Sequence, residues 1–180
     1  FNLGGPDSRA AVQPFLFNLF FDPAIIGLPL PLRWPLAKFI SKKRAPIAEE
    51  IYQELGGGSP LLPNTEAQAA ALTTALQDKG LGEVKVFIAM RYWHPRASET
   101  AKQVAAYAPD RVVLLPLYPQ FSTTTSASSL KEWQREAKAA GVTAPSHTIC
   151  CYPEEAGFAE AMVVRLREAL RQAPGDQPPR

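Results

Sequence analysis

Apolar residues at Val12, Phe15, Leu16, Leu19 and Phe20 recur at helical spacing and predict a helix over 10–21. Residues 1–3 read as the end of a strand, closed by the Gly4-Gly5-Pro6 turn. The stretch 36–55 predicts one or two helices interrupted near Pro46, and Gly56-Gly57-Gly58-Ser59-Pro60 predicts irregular backbone. Thr65 and Gln68 have capping-box spacing and predict a helix opening there and running to about Lys79. Further on, 84–92 reads as a strand, 99–107 as a helix and 112–117 as a second, buried strand. Ser129 and Glu132 predict another capping box, with a helix to Ala140 stopped by Gly141. Residues 147–152 are a third strand candidate. Phe158, Met162, Val163, Leu166 and Leu170 form one face of an amphipathic helix over 156–172.

Strands separated by helices of this length require crossover connections, so the expected architecture is α/β with a parallel sheet. Its most informative point is 114–130, where the apolar strand runs directly into a segment with seven Ser or Thr residues between Ser122 and Ser129. Open α/β sheets build ligand sites in the crevice beyond the carboxyl ends of their strands. A polar, anionic ligand is expected nearby.

The 180 residues suffice for one domain with a sizeable core. A hydrophobic fraction of 46% with 20% charged residues places the chain among ordinary globular proteins. The net charge of +2 is too small to argue for nucleic acid as a partner. The two cysteines, Cys150 and Cys151, are adjacent and form no disulfide framework, which points to a reducing compartment and a cytoplasmic location. At a strand end they read as core rather than as chemistry. Residues 15–40 are strongly apolar, but Pro23, Pro29, Pro31 and Pro35 argue against a continuous helix. Two readings stand for this stretch: a buried loop-helix region, or an exposed lip for a greasy ligand or for peripheral contact with a membrane. The closing A-P-G-D-Q-P-P-R reads as a linker, and both ends suggest a piece of a longer protein.

No G-x-G-x-x-G, Walker A loop or H-E-x-x-H occurs. His94 and His147 have no ligand spacing beside them, so no metal site is expected within this chain. Four segments carry candidate chemistry. N-L-G-G-P-D (2–7) lets backbone approach a flat ligand, or is only a tight turn. K-K-R-A-P (42–46) is a solvated basic face, unless, with Tyr52 and the G-G-G-S-P loop following closely, Arg44 and Ser59 converge on one carboxylate. M-R-Y-W-H-P (90–95) sets a guanidinium among aromatic rings at a strand end, which suits a π-rich anion. The hydroxyl-rich 120–129 segment is the fourth.

Together with F-L-F-N-L-F-F-D (15–22), I-S-K-K-R-A-P (40–46), Y-Q-E-L-G-G-G-S-P (52–60) and L-P-L-Y-P-Q-F-S-T-T-T-S-A-S-S (115–129), these segments resemble, in order and spacing, the ferrochelatase family. Its members insert ferrous iron into a porphyrin to complete haem. The resemblance implies two similar doubly wound α/β domains with the porphyrin cleft between them. This chain matches the amino-terminal one: residues 1–173 the domain, 174–180 the start of the interdomain linker, the second domain absent. Carried over by motif, Arg44, Tyr52 and Ser59 fall at positions that bind the porphyrin and its propionates. Leu3 falls against one macrocycle face, where other members place tyrosine or methionine. Arg91 and Tyr92 fall in the inner cleft, and Gln120 and Ser122 in the strand-end crevice.

The metal-handling histidine of the family, in S-A-H-x-L-P, and its partner glutamate do not occur here, so the isolated piece is expected to be inactive. Some members bind an iron–sulfur cluster through a cysteine at the position held by Thr123; no cluster or other cofactor is expected for this chain. A related chelatase for another metal, or a non-catalytic anion-binding α/β domain, are the competing readings.

Overall fold

The structure, a computed structural model, describes residues 1–173; the expected linker at 174–180 lies outside them. Among the described residues, four α-helices precede a small parallel sheet and two more follow its strands: α1 Val12–Phe20, α2 Leu30–Glu54, α3 Leu61–Asp78, α4 Ala97–Tyr107, β1 Val112–Leu114, α5 Ser128–Ala140, β2 Ser146–Thr148 and α6 Ala156–Gln172. The two strands run parallel, with Val112 opposite Ser146 and Leu114 opposite Thr148. Backbone pairing continues beyond them. Phe1 donates its amino group to the Leu115 carbonyl and accepts from the Leu117 amide, both at 2.7 Å. On its other side, Asn2 forms a parallel bridge with Met90, and the Tyr92 amide donates to the Leu3 carbonyl at 2.9 Å. Residues 1–3 therefore lie between the extension of β1 and the segment ending in Arg91-Tyr92.

Two apolar clusters hold these elements. Ala97, Ala101 and Val104 of α4 pack on Trp133 and Ala137 of α5 and on Leu114, with Phe1 edge-on to Trp133. Val12, Phe15 and Leu16 of α1 pack on Ala45 of α2 and on the fully buried Tyr92, with Leu3, Tyr52 and Trp93 at the margin. The second cluster fixes the site, since it binds the strand ends to α1 and α2.

Several local expectations need correction. The prolines do not divide α2, which is one helix containing Pro35 and Pro46. Pro31 lies in its first turn, where backbone amides lack intrahelical partners anyway. Thr65 does not cap α3, which opens four residues earlier; its hydroxyl sits inside the helix, donating to the Leu61 carbonyl and accepting from Asn2 Nδ2. Ser129 does not open α5 either. A π-helical turn, Thr123–Ala127, runs into it, started by Ser122, whose Oγ accepts from the Thr124 amide.

The predicted strand at 84–92 pairs regularly only near Met90. Residues 1–3 pair with its carboxyl end, where the Asn2 amide donates to the Ala89 carbonyl and the Arg91 amide to the Asn2 carbonyl, while 84–88 carry no regular strand. A largely apolar cavity of about 780 Å³ lies between α3, this segment and β1. Cys150 and Cys151 are exposed rather than core. The apolar face of α6 is exposed as well, with Met162, Leu166 and Leu170 more than half accessible.

Candidate functional site

The motif segments come together because glycine allows it. An added Cβ on Gly5 would stand 2.3 Å from Ser59 Oγ and 2.5 Å from Ser59 Cβ. Gly58 is pressed against the Asp7 carbonyl in the same way, and the Ser59 amide donates to the Pro6 carbonyl at 2.7 Å. Gly4, at φ +82°, lies against the Trp93 backbone. N-L-G-G-P is therefore clamped between G-G-G-S-P on one side and R-Y-W on the other.

Beneath these loops lies a buried polar network. Asp22, 4% exposed, follows α1; its Oδ2 accepts from Arg91 Nη2 at 2.7 Å, Tyr92 Oη at 2.8 Å and Ser128 Oγ at 2.6 Å. Its Oδ1 accepts from the Ala24 amide at 2.8 Å. Arg91 also donates through Nε to Ser128 Oγ at 2.8 Å, and its Nη1 lies 3.1 Å from Glu132 Oε1. Glu132 is buried and pairs in addition with Arg96 at 3.1 Å. Two carboxylates and two guanidiniums thus balance in charge among the close pairs at the strand end, with the exposed Arg135 standing 3.8 Å from Glu132.

The network sets the titration of its members. Burial acts to raise the Asp22 carboxyl, but hydrogen bonds from Ser128, Ala24 and Tyr92, with the Arg91 charge, outweigh it and hold the carboxyl below its usual range. Burial first, and then the Asp22 carboxylate, push the Tyr92 phenol far above its ordinary value, so it stays a donor. Burial also pushes Tyr118 up to about 12. A carboxyl depressed by folding contributes stability that is complete above its unfolded pKa and is lost as pH falls through the folded value. The stability advantage of wild type over Asp22→Asn should therefore hold down to about pH 5 and shrink below about pH 4. Urea melts across that range test it; an advantage unchanged at the acid end would contradict the ionised network.

The residues singled out by motif fall into three groups. Leu3 packs on the Val12–Tyr92 cluster beside half-buried Tyr52, and Ser59 sits in the loop docked on Gly5, its Oγ accepting from the Leu61 amide. Arg91 and Tyr92 lie below, their polar atoms engaged by Asp22, Ser128 and Glu132. Arg44, eight residues before Tyr52 on α2, is exposed, as is Gln120, while Ser122 is partly buried at the start of the π-helical turn. His94 faces Glu99 at 2.9 Å on the surface, and His147 is exposed on β2. Among the described residues, no three His, Cys, Asp or Glu cluster so as to hold a metal ion.

Sequence reasoning missed Asp22, Ser128 and Glu132 as partners of Arg91, and Arg96 as the second partner of Glu132. One signal was visible: Asp22 is a lone carboxylate in the apolar F-L-F-N-L-F-F-D run. The stretch after it is exposed rather than buried, with Leu28, Leu30, Leu32, Trp34 and Phe39 all accessible. No helix among the described residues is long and apolar enough to cross a membrane.

Comparison with known proteins agrees with the motif order. The ferrochelatase from Caulobacter vibrioides is 59% identical over 174 residues, which cover 96% of this chain and 49% of that protein. Ferrochelatases from Phenylobacterium zucineum and Pelagibacter ubique are 57% and 52% identical, over 96% and 95% of this chain and 50% of each relative. The chain spans about half the length of the curated relatives it matches. The Ferrochelatase family model matches residues 1–180, and with the clamped glycine loops and the R-Y-W strand end in place, this chain belongs to the ferrochelatase family.

Proposed function

We propose that the full-length protein carrying this chain inserts ferrous iron into a porphyrin, and that residues 1–173 supply one wall and the rim contacts of its cleft. The observation that carries this reading is the convergence of N-L-G-G-P, G-G-G-S-P and M-R-Y-W on the buried Asp22–Arg91–Tyr92 network. The domain is read as doubly wound. Support comes from the backbone bonds that place 1–3 between 115–117 and 89–92, with β2 beyond β1.

Metal insertion requires a flat macrocycle to bend so that its pyrrole lone pairs meet the ion, while two N–H protons depart. Tight binding at the rim and pressure on one face supply that distortion from remote contacts. In this scheme Arg44 and Ser59 hold the propionates, Arg44 by a charge-assisted hydrogen bond. Leu3 and Tyr52 form an apolar wall, and Arg91 and Tyr92 form a rigid inner floor. Gln120 and Ser122 complete the strand-end crevice. The base that takes the protons comes from the second domain, so residues 1–180 alone bind porphyrin without turning it over. The exposed side chains Leu28, Leu30, Leu32, Trp34 and Phe39 form the greasy mouth of the cleft and a surface for peripheral membrane contact in the cytoplasm. Exposed Thr123, where some family members place a cysteine, offers no thiolate, and no iron–sulfur cluster is assigned to this chain.

Arg44→Ala in the full-length protein should weaken binding of a dicarboxylate porphyrin by about tenfold, as expected for losing one charged hydrogen bond. Binding of its dimethyl ester should barely change. Soret absorbance titrations of both ligands decide, and equal losses would rule out the carboxylate clamp.

A further inference from the structure

Asp22 occupies a junction. α1 ends just before it, and the exposed apolar stretch begins just after it. Its two carboxylate oxygens face different parts of the molecule. Oδ1 accepts from the Ala24 amide, while the Asp22 carbonyl accepts from the amides of Ile25 and Ile26 at 3.0 and 2.9 Å, so this one residue folds the first turn of the lip. Oδ2 gathers Arg91, Tyr92 and Ser128, all within 2.8 Å.

Three donors on one oxygen exceed the two lone pairs it offers. The arrangement is dense where it meets Arg91 and spare where it meets the lip. Each terminal nitrogen of Arg91 faces a carboxylate: Nη2 meets Asp22 and Nη1 meets Glu132. Nε is fixed by Ser128, which is itself oriented by donating to Asp22. The guanidinium is thereby held 4.9 Å over the Tyr92 ring. A buried ion pair gives little net stability compared with apolar packing, so stability alone is a weak reason for this construction. Fixed geometry is a better one, because a guanidinium with all three nitrogens engaged has a single orientation.

We propose that Asp22 is a positioning residue: it sets the orientation of Arg91 for the porphyrin and couples that orientation to the first turn of the apolar lip. The proposal rests on the cleft reading above, in which Arg91 lines the inner floor. Asp22 touches no substrate in this scheme and acts through Arg91 and Ser128. The other charged groups at the network are Glu132, Arg96 and Arg135, the last standing 3.8 Å from Glu132. Asp22 is the member that also holds the lip.

The test is a double-mutant cycle in the full-length protein with Asp22→Asn, Arg91→Gln and both together. Porphyrin affinity is read from Soret absorbance and folding from urea melts, with hydrogen exchange followed by NMR at Arg91 Nε–H and at the Ala24 amide. Asp22→Asn should weaken porphyrin binding about tenfold in protein that remains folded. The double variant should bind no more weakly than Arg91→Gln alone. Exchange at both Arg91 Nε–H and Ala24 should accelerate in Asp22→Asn. Multiplying affinity losses, or wild-type affinity in folded Asp22→Asn, would overturn the positioning role. Unchanged exchange at Ala24 would overturn the coupling to the lip.

If Asp22→Asn does not fold, Ser128→Ala removes the Nε acceptor without altering charge. It should then accelerate Arg91 Nε–H exchange and weaken porphyrin binding in the same direction, and no change in either would overturn the proposal. A wild-type protein that binds no porphyrin would sink the cleft reading alone. The exchange measurements would still decide whether Asp22 sets Arg91.

Discussion

Alanine at Gly5 should cost the folded state about 3 kcal/mol, near the upper end for overpacking a tight contact. The new methyl would overlap Ser59 at both Oγ and Cβ. Rotating the serine hydroxyl removes only the first overlap; the second requires the loops to separate. Separation would strain the hydrogen bond from the Ser59 amide to the Pro6 carbonyl and the close fit of Gly58 on Asp7. Porphyrin affinity should fall with stability, because the displaced loop carries Ser59. Gly27→Ala is the matched control, since an added Cβ there meets nothing within 4 Å. Urea melts of the two variants should differ sharply; similar midpoints would show that the loops do not dock as described.

Glu132→Ala should be comparably severe, at about 3 kcal/mol, the scale of breaking a buried ion pair by removing one partner. Glu132 is 7% exposed and lies 3.1 Å from both Arg91 and Arg96. Its loss leaves Arg91 and Arg96 with one carboxylate, Asp22, which pairs with Arg91 and not with Arg96. Glu132→Gln keeps the volume and one acceptor, and should recover part of the loss. Denaturation at neutral pH tests the pair of variants, and wild-type stability in Glu132→Ala would mean that the network carries no net charge balance.

Local chemistry was legible in the sequence where it acts alone. Gly141 ends α5 in the left-handed conformation at φ +77°, as a glycine after the last periodic residue should. The apolar period of α6 gave its limits, Ala156–Gln172, without help from packing. The short parallel sheet followed from the alternation of elements, although β1 and β2 are shorter than their apolar runs.

Long-range partners were not legible. Thr65 has the spacing of a helix cap, yet its hydroxyl answers to Leu61 and to Asn2, 63 residues away. Pro46 looks like a break, but Ala45 is buried against α1 and the packing carries the helix past it. Motif order brought Arg91 and Tyr92 forward as site residues. It could not reveal that Asp22, 69 and 70 positions earlier, holds both.

The unbroken course of α2 has a consequence for how this half of the molecule tolerates change in length. The helix begins in the exposed lip at Leu30 and carries Arg44 and Tyr52 before it ends at Glu54, a span of about 37 Å at 1.5 Å per residue. In the proposed cleft, mouth and rim contacts therefore share one ruler. A residue inserted between Trp34 and Arg44 would advance one end by about 1.5 Å and swing it by about 100° relative to the other. Extra length belongs in the turns that bracket the ruler, around Gly27 and Gly56, where added atoms meet open space.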